Sequence, residues 1–328
     1  MPPHGIDLKP IATAAKSLSK PLVKLLDVVQ NGIGALGGPL VMILNAHGKG
    51  RANLIREGYK HRLRLMQARN AQELEAATGP APLLPSSNED LGIDVVFEAA
   101  EDSEQIATRF METHQSAKRR ANVITIAAEA ADSIGPEAAD DPVDPDWVAR
   151  FFTYAQDVSS EHLQRLWGRI LAGEVERPGR VPLRTLEILR NLSQREASVV
   201  AKLASKVSSN SCYLPYGQEA LTPEEVRLLR DAQIFEDSVG TVRWKVEADL
   251  AQSVLPFNEP PGSAELPYPS GHVIKLTAAT TIYPVHIWVV RPSALPLINA
   301  AKPLTDLSYL EAVATALNSE EFIQAELI

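Results

Sequence analysis

Glu174 is the residue of this 328-residue chain most open to a catalytic argument. A carboxylate beside the Ala172-Gly173 pair, with His162 upstream, is the kind of group that accepts a proton as a general base. A structural role is the simpler reading, because Arg169 and Arg184 are near enough in sequence to pair with it and Gly173 would permit close backbone approach. The other reactive residue types are dispersed. Histidines stand at 4, 47, 61, 114, 162, 272 and 286, and no two are four apart on a helix, so no metal site is recognisable. The single cysteine, Cys212, excludes an internal disulfide, leaves no cysteine pair for zinc or iron-sulfur binding, and has no neighbouring histidine or lysine to favour its thiolate. The GIGALGG string at 32–38 looks like a phosphate cradle but lacks a strand before it and a lysine-serine pair after it. The expectation is a chain with no catalytic residue, metal or cofactor.

The elements that would position Glu174 lie in 144–192, where helix start and stop signals agree best with apolar spacing. Asp144 can cap a helix opened by Pro145, with Trp147, Phe151 and Tyr154 on one face. Ser159 or Ser160 starts the next helix, whose stripe is Leu163, Leu166, Trp167, Ile170 and Leu171 and whose end is Pro178-Gly179. Pro182 opens a third helix carrying Leu183, Leu186, Ile188, Leu189 and Leu192. The block reads as three short helices folded on one another, with both tryptophans as core anchors.

The strings DW, LWGRILAGE, PG and RTLEIL in this block resemble a bacterial family of unknown function akin to the abortive-infection alpha (Abi-alpha) proteins. The likeness is densest over 147–203 and extends more weakly to RRANVITIAAEAA upstream and LTPEEVRLLRDAQIFE downstream. It implies a bacterial protein with a part in phage defence, with Trp147, Trp167, Gly173, Glu174, Pro178 and Gly179 on its motif positions. The family has no established chemistry to carry over.

Charge divides the chain. Residues 1–70 hold eleven Lys or Arg against three acids, a net +8, so the remainder carries −17 of a total of −9. Such asymmetry points to a front end that meets lipid headgroups, nucleic acid or the acidic body of the same protein. Ile11, Ala15, Leu18, Leu22, Leu25, Val29, Ile33, Leu36 and Leu40 recur at three- and four-residue steps, and Lys16, Lys20 and Lys24 fall four apart beside that stripe. A helix lying on an anionic bilayer distributes its residues this way. Pro21 should divide or kink the stretch. Residues 28–48 carry no fixed charge, but the glycines and Pro39 within them argue against a simple lipid-exposed span. A helical hairpin, an oligomeric pore and a soluble hairpin remain. Lys49, Arg51, Arg56, Lys60, Arg62, Arg64 and Arg69 then form a basic stretch suited to a membrane surface or to phosphates, or simply a solvated helix face. No signal-peptide pattern opens the chain, and one cysteine fits a reducing bacterial cytoplasm, at the inner membrane if the front end binds lipid.

The fold expectation is mainly α: an amphipathic and basic segment over 1–78, a linker and a long helix over 79–135, a helical core over 144–210, and a small α+β part over 211–328. Apolar positions Ile106, Phe110, Ala117, Ala121, Ile124, Ala128 and Ala131, with His114 counted in, suggest coiled-coil-like packing. Ser193 with Glu196, and Thr222 with Pro223 and Glu225, mark two further helix starts. A hairpin turn at 238–241 would follow, giving a winged-helix-like order, although EEVRLLRDA has too many acids to attract phosphates. A loop is expected over 253–271, strands over 273–290, a short helix from Pro292, and helices over 309–317 and 320–327. The functional expectation is a non-enzymatic defence or stress effector whose front end engages a membrane or assembles a homo-oligomer under control of a C-terminal body that receives a protein or nucleic-acid trigger. The alternative is a soluble adaptor that binds nucleic acid or protein.

Overall fold

The computed structural model describes residues 19–33, 93–236, 240–242, 262–278, 285–301, 304–319 and 323–328. The chain is mainly helical with a small C-terminal sheet region, and it divides into two compact units between Ser159 and Ser160. The expected three-helix block over 144–192 is therefore apportioned, its first helix to the first unit and the other two to the second.

In the first unit, α1 (Lys20–Ile33), α2 (Ile93–Ser133) and α3 (Pro145–Ala155) pack together. Pro21 sits in the first turn of α1, where its missing N–H costs nothing, and the residues before Ser19 from which it was expected to divide this helix lie outside the described residues. Leu22, Leu25, Leu26 and Val29 fall at i, i+3, i+4 and i+7 and are all buried. Helix α2 starts ten residues earlier than expected, and its burial is wider than a coiled-coil seam. Ala121, Ile124, Ala128 and Ala131 are buried as expected, but so are Val123, Ile126, Ala127 and Ala130 on the flanks. Alanine on every side lets neighbours approach from several directions. The Asp144 carboxylate accepts from Asp146 N–H at 2.8 Å and Pro145 opens α3, the start the sequence predicts.

The second unit begins with α4 (Glu161–Glu176), α5 (Leu183–Asn191) and α6 (Gln194–Ala204). Then follow β1 (Cys212–Tyr213), α7 (Pro223–Asp231), β2 (Gly240–Val242), β3 (Gly262–Pro267), β4 (Val273–Ala278), β5 (Val285–Val289), α8 (Leu295–Ala301), α9 (Leu307–Asn318) and β6 (Ile323–Leu327). Both expected capping boxes are present, at Ser193/Glu196 and Thr222/Glu225. Replacing Ser193 by Ala leaves a first-turn N–H without its acceptor, and a loss of about 1 kcal/mol in urea unfolding is expected.

One antiparallel sheet has the order β1-β5-β2, with α6 before β1 and α7 between β1 and β2. The hairpin expected at 238–241 is not built: Gly240 and Thr241 are strand residues opposite Ile287 and His286 of β5, with β3 and β4 between them in the chain, while 238 and 239 lie outside the described residues. The second sheet, β3-β4-β6, corrects two expectations. Gly262–Pro267 is a strand inside the expected loop, and Ile323–Leu327 is a strand where a helix was expected. In the latter, Ala325 is buried between exposed Gln324 and Glu326, a two-residue period that a short segment satisfies as readily as a helical one. Asn318 fixes the reversal by bonding both the N–H and the carbonyl of Ala325.

Candidate functional site

Four of the motif positions, Gly173, Glu174, Pro178 and Gly179, meet at the corner between α4 and α5. Glu174 is 1 % exposed, and its two carboxylate oxygens accept from Gly179 N–H at 2.6 Å and Val181 N–H at 2.8 Å. Gly179 has φ +81°, a left-handed conformation that glycine adopts without a side-chain clash. The spacing from GE to PG is thereby explained: a carboxylate in the last turn of one helix holds the loop leading to the next. Its structural role is the one expected, but its partners are not. Arg184 pairs with Glu187, and Arg169 donates to the Ala300 and Ala301 carbonyls. Nothing lies within 4 Å of a Cβ placed on Gly173, so close approach is not that glycine's purpose. Trp147 and Trp167 are both buried, each within its own unit, as core anchors should be. Pro178 is half-buried in the held loop.

A second polar group in the second unit has no local sequence signature. Lys206, 2 % exposed, pairs with Asp306 one hundred residues later and lies 4.6 Å from the Tyr309 ring centroid. Asp306 also caps α9 by accepting from Tyr309 N–H at 3.1 Å and from the Ser308 hydroxyl at 2.7 Å. Burial raises the carboxyl's pKa, but the bonds from Lys206, Ser308 and the backbone outweigh it and hold the group at about 2. Nearby, burial pushes the Cys212 thiol up to about 11, the opposite of what a nucleophile needs. Cys212 is in β1, directly after the serine-rich residues 208–211.

Of the apolar face singled out at the front end, Leu22, Leu25 and Val29 are buried in the first unit. Ile33 ends α1, and Leu18, Leu36 and Leu40 lie outside the described residues. So do Lys49, Arg51, Arg56, Lys60, Arg62, Arg64 and Arg69. The polar side of α1 is tied to the acidic linker between α2 and α3: Lys24 donates to the Ala139 carbonyl at 2.8 Å, and Lys20 pairs with Asp140. The hydrogen bond from Lys20, then its charge, lowers the Asp140 pKa. Both side chains of that pair are exposed, so it directs the helix more than it stabilises it. Where α1 ends, a Cβ on Gly32 would overlap the Phe152 ring of α3. A cavity of about 350 Å³ runs along this seam, lined by Asn31, Asp27 and Lys24 from α1 and by Val143, Val148 and Ala149 opposite.

Sequence reasoning missed a cleft in the second unit. His162, Arg165 and Arg169 project from α4 into a cavity of about 110 Å³ floored by Leu166, Ala197 and Val200 and closed by Ala301. No acid lines it. The i, i+4 arginines in EHLQRLWGRI carried the signal, which the apolar stripe of the same helix obscured. Among the described residues no cluster of three or more His, Cys, Asp or Glu is placed to hold a metal, and no helix is long and apolar enough to cross a membrane.

Fold and geometry together define a mainly helical chain with carboxylate-braced loops. Residues 105–223 match the model of a family described as protein of unknown function (DUF2806), a stretch that spans the motif corner and the Ser193/Glu196 capping box. No curated protein and no solved structure matches the chain.

Proposed function

We propose that the protein is a non-enzymatic bacterial defence effector of the abortive-infection kind, in which α1 is stored against α2 and α3 and released to an anionic membrane or to another copy of the chain. It would act in the cytoplasm, at the inner membrane once released, after the second unit meets a protein or nucleic-acid trigger. The observation that carries the reading is the two-sided seating of α1. Its apolar residues Leu22, Leu25, Leu26, Val28 and Val29 are buried, while Lys20 and Lys24 are held by the acidic linker. Uncovering five such side chains costs on the order of 10 kcal/mol as an upper bound. A bilayer interior recovers most of that burial, and each lysine near an anionic surface adds about 1 kcal/mol. The exchange is thus near balance, as a switch requires. The defence role itself rests on the likeness of the LWGRILAGE block to abortive-infection proteins.

Gly32→Val tests it, because valine cannot share space with the Phe152 ring. Full-length G32V is expected to float with anionic vesicles at high salt while the wild type binds several-fold less, with the unfolding transition of the second unit unchanged. A G32V protein that stays off the vesicles contradicts storage and release. The same burial of α1 also favours a second reading, a soluble helical adaptor in which α1 is permanent core. Salt separates the two: binding to phosphates through Lys49–Arg69 falls steeply as salt rises, whereas insertion of an apolar face persists.

A further inference from the structure

The geometry points to the cleft on α4 as a binding site for a phosphoryl group, gripped by Arg165 and Arg169 with His162 at its edge. This inference does not depend on the release of α1. Arg169 is half-buried, and one of its terminal nitrogens donates to the Ala300 and Ala301 carbonyls at 3.0 and 2.9 Å. Those bonds cap α8, and they also fix the plane of the guanidinium. Its Nε and its other terminal nitrogen keep three N–H donors in an orientation that binding need not freeze. Arg165, one turn earlier and exposed, spends only its Nε, on the Glu161 carbonyl at 3.4 Å, and so keeps four donors. Neither arginine meets a carboxylate among the described residues, in a chain whose formal charge is −9. Two fixed positive charges suit a phosphate monoester, which carries a charge of about −1.5 to −2 at neutral pH. Forked donors around one centre match its several acceptor oxygens. Size narrows the ligand further. A cavity of about 110 Å³ is well below the roughly 300 Å³ at which pockets enclose a whole small molecule, so it takes the phosphoryl end and leaves the remainder outside.

The test is calorimetric titration of the full-length protein at low ionic strength with inorganic phosphate, phosphoserine, a nucleoside 5′-monophosphate and, as a control, acetate. Saturable binding of at least one phosphoryl compound is expected, with acetate at least tenfold weaker, and the tightest compound identifies the source of the group. In Arg165→Gln, whose side chain is exposed, the Kd is expected to rise at least tenfold without a change in Tm. Arg169→Lys keeps the charge but loses the fork, and should weaken binding while the protein remains folded. Absence of saturable phosphoryl binding, equal binding of acetate, or an unchanged Kd in R165Q overturns the assignment. None of these outcomes bears on vesicle binding.

Discussion

Asp306→Ala is expected to destabilise the second unit by about 4 kcal/mol, because it strands the buried Lys206 ammonium and removes the cap of α9 at the same time. Urea unfolding followed by tryptophan fluorescence measures it. The asymmetry of the pair is the sharper part of the prediction. Lys206→Met removes the buried charge instead of abandoning it and keeps an unbranched apolar stem against Tyr309, so it should cost no more than about 1 kcal/mol. Equal losses in the two variants would show that the pair acts by packing alone. The pH dependence has a definite sign. Asp306 is held at about 2 in the fold against 3.8 for an unperturbed carboxyl, so between those values the unfolded chain binds more protons. The contribution of about 2 kcal/mol is complete above pH 4 to 5 and is lost as the pH falls through 2. D306A should lack this acid-dependent component.

Glu174→Ala is expected to cost about 3 kcal/mol, since two backbone N–H groups lose a charged acceptor at a site that is almost wholly buried. A fall in Tm of about 6 to 12 °C follows for a unit of this size. Glu174→Gln can accept one of the bonds, but its amide nitrogen then faces the other donor, so roughly half the loss is expected. This result also separates structure from chemistry at the residue where catalysis was most arguable. A general base would lose activity in E174Q at unchanged Tm, whereas a carboxylate already committed to Gly179 and Val181 loses stability first.

The sequence was most informative where the physics is local. Asp144-Pro145, Ser193/Glu196 and Thr222/Glu225 each bring donor and acceptor within three residues, and each forms as expected. The i, i+3, i+4 pattern of α1 gave its buried face without saying what would cover it. Short apolar runs were ambiguous: 323–327 suits a strand as well as a helix, and pairing with β4 decides it. Contacts between distant residues left no trace. Nothing near Lys206 announces Asp306, and Glu174 has plausible arginines at sequence distances like those of the loop N–H groups it holds, so spacing does not choose between them. The cationic cleft was visible only as two arginines four apart, a spacing that solvated helix faces share.

The storage of α1 is tested most directly by a distance across the seam it shares with α3. Asn31 and Ala149 are exposed, lie on opposite sides of that seam, and accept cysteines for spin labels, with the native Cys212 buried and poorly ionised. In vesicle-free protein a single short distance is expected, lengthening and broadening when anionic vesicles are added at high salt. A distance that stays short and narrow on vesicles would mean that α1 is permanent core, and that the protein works without releasing it.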